Sequence, residues 1–137
     1  MNFYVVDTHA LIWFLTDNQN LSPLAKQILR QAEVGEVRVF IPTIVLAEIV
    51  NIVRKKKCEL TVDEVLKKIA QGDGFVIVSF DLAVFQLMLT LPNHLDIHDK
   101  IIAATSCYYE ATLITRDEVL RNADEIATVW DENNSIS

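Results

Sequence analysis

The chain has 137 residues, of which 51% are hydrophobic and 23% charged, and its formal net charge is −7. This length fits one globular domain and leaves no room for a second. The acidic balance argues against a broad basic face that binds nucleic acid, but it is compatible with carboxylates that hold a divalent cation. No apolar run approaches the roughly 20 residues needed to span a bilayer, and a cytoplasmic protein is expected.

Strand-like apolar runs alternate with helical spacing along the chain, which predicts an α/β domain with a mostly parallel sheet of four to five strands. The predicted strands are residues 3–6, 37–41, 75–80, 113–115 and 126–130. The predicted helices are residues 10–15, 23–31, 43–57, 62–71, 82–91, 97–105 and 118–123. The continuous run 75–80 predicts an internal strand, and helix 43–57, apolar nearly all round, predicts a helix packed in the interior. The domain is expected to cover residues 1–131, followed by a polar tail at 132–137.

Asp7 follows the first predicted strand directly and precedes the first helix. In an open parallel sheet, ligands bind in the crevice at the carboxyl ends of the strands. An acid at this junction therefore points toward the expected site. Asp117 has the same position after the fourth strand, although capping of the following helix explains an acid there equally well.

Glu48 lies in the middle of the apolar helix 43–57. An ionised carboxylate is costly to bury unless a cation, a metal or a donor compensates the lost hydration. Asn51 follows at i+3 on the same face and could share a polar niche with it. The alternative is a side chain that reaches solvent through a gap.

Polar residues gather just before the helix that begins near residue 97. Asp96 as N-cap would place Asp99 at N3, where the helix dipole favours an acid. His94 and His98 could ligate a metal, but loop histidines often have no special role. Right-handed crossovers would bring the four acids Asp7, Glu48, Asp99 and Asp117 to one edge of the sheet.

With these motifs in this order, the whole chain resembles the PIN-domain ribonucleases, and among them the VapC-type toxins of toxin–antitoxin pairs. The matching segments are residues 6–11 (VDTHAL), 47–49 (AEI), 98–105 (HDKIIAAT) and 113–117 (LITRD). The resemblance implies a three-layer α/β/α sandwich with an acidic pocket that holds Mg²⁺ or Mn²⁺. It maps Asp7, Glu48, Asp99 and Asp117 onto the catalytic and metal-binding acids. Hard divalent cations do prefer such oxygen ligands.

The resemblance also implies endoribonuclease activity, in which a metal-activated water hydrolyses RNA to 5′-phosphate and 3′-hydroxyl products. Thr115, Asp96 and Thr8 are expected to support the acids, and RNA contacts are expected at Arg54, Lys55, Lys56, Lys57 and Arg116. VapC-like proteins usually form homodimers that a protein antitoxin blocks. Both partners are therefore expected here.

Other protein classes fit the sequence less well. A dehalogenase-type phosphatase needs a second Asp two positions after Asp7, where the chain has His9. A response-regulator receiver needs paired acids near the first strand, and only Asp7 lies there. A PIN-like nuclease that matures RNA, and a non-catalytic PIN-like domain that only binds a partner, stay open as alternatives.

Overall fold

The computed structural model describes residues 1–55 and 58–131, and its secondary structure alternates strands with helices. The strands are β1 (Phe3–Val6), β2 (Arg38–Pro42), β3 (Phe75–Val78), β4 (Thr112–Ile114) and β5 (Thr128–Val129). The helices are α1 (Thr8–Leu15), α2 (Pro23–Glu33), α3 (Thr43–Arg54), α4 (Val62–Gln71), α5 (Leu82–Met88), α6 (Ile97–Tyr108) and α7 (Glu118–Arg121).

The five strands form one sheet in the order β3-β2-β1-β4-β5, and every pairing is parallel. Tyr4 lies opposite Thr112 in one neighbouring strand and opposite Val39 in the other. The strand order reverses its direction at β1 and β4, so a crevice opens between their carboxyl ends. With helices on both sides of the sheet, this is the predicted PIN-like three-layer α/β/α sandwich.

The central strands carry the core. Val5, Val39, Ile41 and Leu113 have no exposed surface, and they pack between the sheet and its covering helices. Strands covered on both faces need apolar side chains at successive positions rather than alternate ones. This requirement explains the uninterrupted apolar runs that predict the strands.

Side-chain caps set where most helices begin. Ser22 caps α2 with proline next to it, and Thr61 forms a capping box with Glu64 at α4. Asp81 caps α5 and Asp96 caps α6. All these caps confirm the sequence-based predictions, because a cap depends on residues two or three positions apart and little on the rest of the fold.

The predicted internal position of residues 75–80 is wrong. Within the described residues, β3 pairs only with β2 and forms an edge of the sheet. Ile77 is 46% exposed there. The apolar run reflects partial covering by helices on the sheet faces rather than a neighbour on each side.

Helix α3 is also less enclosed than its composition predicts. Only Val45 and Ile49 are fully buried in it, and Ala47 is exposed. The helix packs against α1, α6 and β2, and these elements cover one side of it. Its predicted end at Lys57 and the predicted tail 132–137 lie outside the described residues. Within the described residues, no helix combines the length and the apolar character needed to cross a membrane.

Candidate active site

Asp7 stands at the crevice where the strand order reverses. Its backbone N–H donates to the carbonyl of Ile114 over 3.2 Å, which ties the end of β1 to the end of β4. Thr115 follows β4 and is fully buried, and its hydroxyl accepts from the backbone N–H of Asp117 over 3.1 Å. The ends of β1 and β4 are therefore joined beside Asp7, and Asp117 is tied to the end of β4.

Asp7 and Asp117 each cap a helix, and the cap occupies only one carboxylate oxygen. Oδ1 of Asp7 accepts from the N–H of Ala10 over 2.9 Å. Oδ1 of Asp117 accepts from the N–H groups of Val119 and Leu120 over 2.8 and 3.3 Å. Within the described residues, the second oxygen of each carboxylate takes no part in these caps. Capping and a place in the site are thus compatible roles rather than alternatives.

Glu48 is held on both of its oxygens. The Thr8 hydroxyl donates to Oε1 over 2.5 Å, and Nδ1 of His98 lies 3.0 Å from Oε2. The Glu48 side chain is 28% exposed. The donors predicted for an acid in an apolar helix are therefore present, and they come from α1 and α6.

Asp99 lies in the first turn of α6, close to the other acids. Burial, and then the neighbouring carboxylates, raise its pKa from 3.8 to about 6. The neighbouring carboxylates, in order of effect, are Asp117, Asp96, Asp7 and Glu48. The fold thus brings carboxylates together that repel one another when ionised. A positive charge nearby is needed to offset this repulsion when all of them are ionised.

Burial also raises the pKa of Asp7. The hydrogen bonds from Thr115 and Ala10 lower that pKa, and the charge of Asp117 raises it. Asp7 and Asp99 therefore both lie where a carboxylate needs a positive partner more than it would in water.

The acids open into one cavity of about 650 Å³, a size typical of ligand sites. Twelve residues line it: Asp7, Thr8, His9, Trp13, Glu48, Asn51, Ile52, His98, Asp99, Ile102, Arg116 and Asp117. All four predicted acids are among them, together with Thr8, Asn51 and Arg116. The cavity contains residues from α1, α3, α6 and the loop after β4, so tertiary folding alone brings them together.

The other predicted site residues that the structure describes lie outside the cavity lining. Asp96 caps α6 through a hydrogen bond from the N–H of His98 over 3.2 Å. Arg54 and Lys55 are exposed at the end of α3. Lys56 and Lys57 lie outside the described residues. His94, considered as a metal ligand, is exposed and does not line the cavity.

Sequence reasoning considered His98 only as a possible metal ligand, and it did not identify His9 or Trp13 as site residues. His9 and Trp13 lie one turn apart on α1, with ring centroids separated by 5.6 Å. The guanidinium carbon of Arg116 lies 5.5 Å from the centre of the Trp13 ring. The i, i+4 spacing of His9 and Trp13 predicts that they share one face of α1, but it does not link that face to Asp7, which lies two positions before His9. No comparable signal links His98 to Glu48, 50 residues away.

Within residues 1–55 and 58–131, no three His, Cys, Asp or Glu side chains group tightly enough to form a ready-made set of metal ligands. The acids share a cavity without closing around a common point. Mg²⁺ needs only one or two carboxylates because it retains several water ligands, and the carboxylate oxygens of this cavity suit such an ion.

The fold has clear counterparts among solved structures. VapBC2 from Rickettsia felis, solved bound to a DNA fragment from its promoter, matches with a TM-score of 0.70 and 17% identity over 94% of this chain and 99% of that one. A toxin–antitoxin complex from Klebsiella pneumoniae matches with a TM-score of 0.66 and 22% identity over 94% and 99% of the two chains. FitAcB from Neisseria gonorrhoeae matches with a TM-score of 0.62 and 19% identity over 91% and 95%.

At these identities the structural matches establish the fold. No curated protein sequence matches the chain. The family model described as PIN domain matches residues 4–126, from β1 to the residues before β5. That match contains all four acids of the cavity. The chain therefore belongs to the PIN domain family.

Proposed function

We propose that this chain is a divalent-metal-dependent endoribonuclease and the toxin of a VapBC-type toxin–antitoxin pair. The observation that carries the proposal is the meeting of Asp7, Glu48, Asp99 and Asp117 in one cavity at the carboxyl ends of β1 and β4. Four chain segments supply these acids, and helix capping accounts for only part of their arrangement. Membership of a nuclease family gives the cavity its chemical interpretation.

Asp7, Asp99 and Asp117 are the proposed direct ligands of Mg²⁺ or Mn²⁺. Each has a carboxylate oxygen outside the helix caps described above, and the raised pKa of Asp99 reflects the need for a positive charge nearby. Thr8 and His98 occupy both oxygens of Glu48, so we assign that acid the role of orienting water and ligands from the side of α3.

A bound divalent cation supplies a water with a lowered pKa and stabilises negative charge on the phosphate. The chain's residues fix where this chemistry occurs. The Thr115 hydroxyl accepts from the backbone N–H of Asp117 and so fixes that residue, and β4 ends close enough to β1 to set the spacing of Asp7 and Asp117. The exposed Arg54 and Lys55 are proposed to contact the RNA backbone away from the acids.

The proposed partners follow from the relatives. The Rickettsia felis and Klebsiella pneumoniae structures are described as VapBC2 and as a toxin–antitoxin complex. On that basis we propose that a protein antitoxin binds this chain. The resemblance to VapC-type toxins adds the proposals that the chain forms a homodimer and that it acts in the cytoplasm, where its RNA substrate is found.

Cleavage of labelled RNA by the purified, antitoxin-free protein tests the nuclease activity. Activity should require Mg²⁺ or Mn²⁺, disappear in EDTA, and fall at least about 100-fold in Asp7→Asn. Asp124→Asn, which removes the same charge from an exposed position outside the cavity, should leave the rate unchanged. Absence of cleavage across a broad RNA pool by folded, metal-loaded protein would favour the non-catalytic partner-binding alternative.

Co-expression tests the toxin role separately. Induction of the wild-type chain alone should arrest growth, and induction of Asp7→Asn should not. A chain that cleaves RNA in vitro without arresting growth would instead fit a PIN-like nuclease that matures RNA.

A further inference from the structure

One side of the acidic cavity consists of aromatic and cationic groups. His9 and Trp13 project from α1, and Arg116 projects from the loop after β4. The Arg116 guanidinium lies over the Trp13 ring, with 5.5 Å between its central carbon and the ring centre. The proposed hydrolysis gives His9 and Trp13 no role, and Arg116 is expected only to contact the RNA.

In these three groups, an indole ring that is held in position supports two exposed planar side chains. Trp13 packs edge-to-face on the buried Trp130, with 6.1 Å between ring centroids, and this contact holds the indole in position. His9 and Arg116 are exposed. Within residues 1–55 and 58–131, Arg116 forms no ion pair, so its planar group is not engaged by a carboxylate. A rigid aromatic support with planar groups above it suits a flat ligand.

We propose that His9, Trp13 and Arg116 form a stacking platform for an unpaired nucleobase next to the scissile phosphate. This inference rests on the proposed RNA substrate and adds a subsite to it. Bases stack on aromatic rings and on guanidinium planes, and this contact tolerates different bases because each has a flat face. Arg116 directly precedes Asp117, so a base on the platform would place its own phosphate near the acids.

The charge of the cavity favours a base over a phosphate at this position. Four carboxylates line the same space, and the chain as a whole carries −7. The negative potential would repel a phosphate at Arg116, whereas an uncharged base would not be repelled. The platform therefore binds unpaired nucleotides in preference to duplex, whose bases are already stacked on one another.

Mononucleotide binding tests the platform without any cleavage. Trp130→Phe leaves Trp13 as the single tryptophan, so its fluorescence reports stacking. In buffer with Mg²⁺, AMP should quench this fluorescence saturably. Ribose 5-phosphate, which has the same sugar and phosphate but no base, should displace AMP only at roughly tenfold or higher concentration. Saturation-transfer NMR with the wild-type chain repeats the competition without any substitution in the core.

Arg116→Lys separates stacking from charge, since lysine keeps the charge and lacks the plane. It should weaken AMP roughly tenfold and leave ribose 5-phosphate unchanged. Arg30→Lys, an exposed position on α2 outside this cavity, is the matched control and should change neither ligand.

The platform is refuted if ribose 5-phosphate competes as well as AMP, if Arg116→Lys weakens both ligands equally, or if AMP does not bind. The proposed nuclease activity stands or falls separately. A chain that stacks AMP but cleaves no RNA keeps the platform and loses the nuclease, and a chain that cleaves RNA without preferring AMP does the reverse.

Discussion

Asp99→Asn should make the metal-free protein more stable. Burial and the surrounding carboxylates raise the pKa of Asp99 from 3.8 to about 6. For a fully buried group, holding that carboxylate ionised at neutral pH would cost about 3 kcal/mol. Asp99 is only partly buried and solvent screens its neighbours, so about 1 kcal/mol is the expected gain from Asn. For a domain of this size, that free energy corresponds to a melting temperature higher by roughly 3 °C.

The sign of the pH dependence follows from the raised pKa. Between pH about 4 and 6, the native chain keeps a proton on Asp99 that the unfolded chain has released, so the stability of the metal-free wild type falls as the pH rises. The Asp99→Asn variant has no carboxyl group at this position, so this fall in stability does not occur in it. The two proteins should therefore be equally stable near pH 4, and the variant should be more stable near pH 7.5.

Thermal unfolding in EDTA at both pH values measures the effect, with Asp124→Asn as the charge-matched control outside the cavity. Adding Mg²⁺ should stabilise the wild type, by about 1.4 kcal/mol at tenfold excess over its dissociation constant, and should stabilise Asp99→Asn less. A variant no more stable than wild type near pH 7.5, together with no response of the wild type to metal, would refute the reasoning that these carboxylates repel one another in a preformed site.

Three further predictions concern the same structure. Thr8→Val removes the hydroxyl that donates to Oε1 of Glu48 and should lower the free energy of unfolding by about 1 kcal/mol. Urea titration measures this loss. The control Thr16→Val should change the free energy of unfolding little, because the exposed Thr16 hydroxyl donates to carbonyls of its own helix. Leu113→Ala empties a fully buried site in β4 and should cost about 2–5 kcal/mol, whereas Leu89→Ala, 63% exposed, should stay within about 0.5 kcal/mol; similar losses from both would contradict the assigned core. RNA cleavage should rise with pH through about 6 as Asp99 ionises, and added Mg²⁺ should move this rise to lower pH because metal and proton compete for the carboxylate. A rise that does not move with Mg²⁺ would exclude Asp99 as its cause.

Local patterns in the sequence predict most of the elements. The run that predicts β1 and the caps at Ser22, Thr61 and Asp81 place the starts of these elements correctly, although α5 ends at Met88 rather than at the predicted residue 91. Apolar periodicity and capping both act over a few neighbouring residues, so they can be read without knowing what packs against them. The alternation of strands and helices likewise predicts a parallel sheet, because short connections and right-handed crossovers allow few other arrangements.

The acids of the site are partly predictable for a related reason. Asp7 and Asp117 follow strands that end at the same edge of the sheet, and their positions in the chain are sufficient to predict that they meet. Glu48 is conspicuous because a carboxylate in an apolar helix requires a partner. The sequence did not identify that partner: His98 approaches Glu48 only after α3 and α6 have packed together.

Long-range pairing decides the remaining features. Residues 75–80 are apolar enough for an internal strand, yet β3 lies at the edge because β2 alone pairs with it among the described residues. The proposed stacking platform of His9, Trp13 and Arg116 joins two segments that lie more than 100 residues apart in the chain. The sequence by itself determined the kinds of element and the acids at their ends, since these depend on neighbouring residues. Only the tertiary structure decided strand order, the partners of Glu48 and the aromatic side of the cavity, because these contacts form between residues that no local spacing relates.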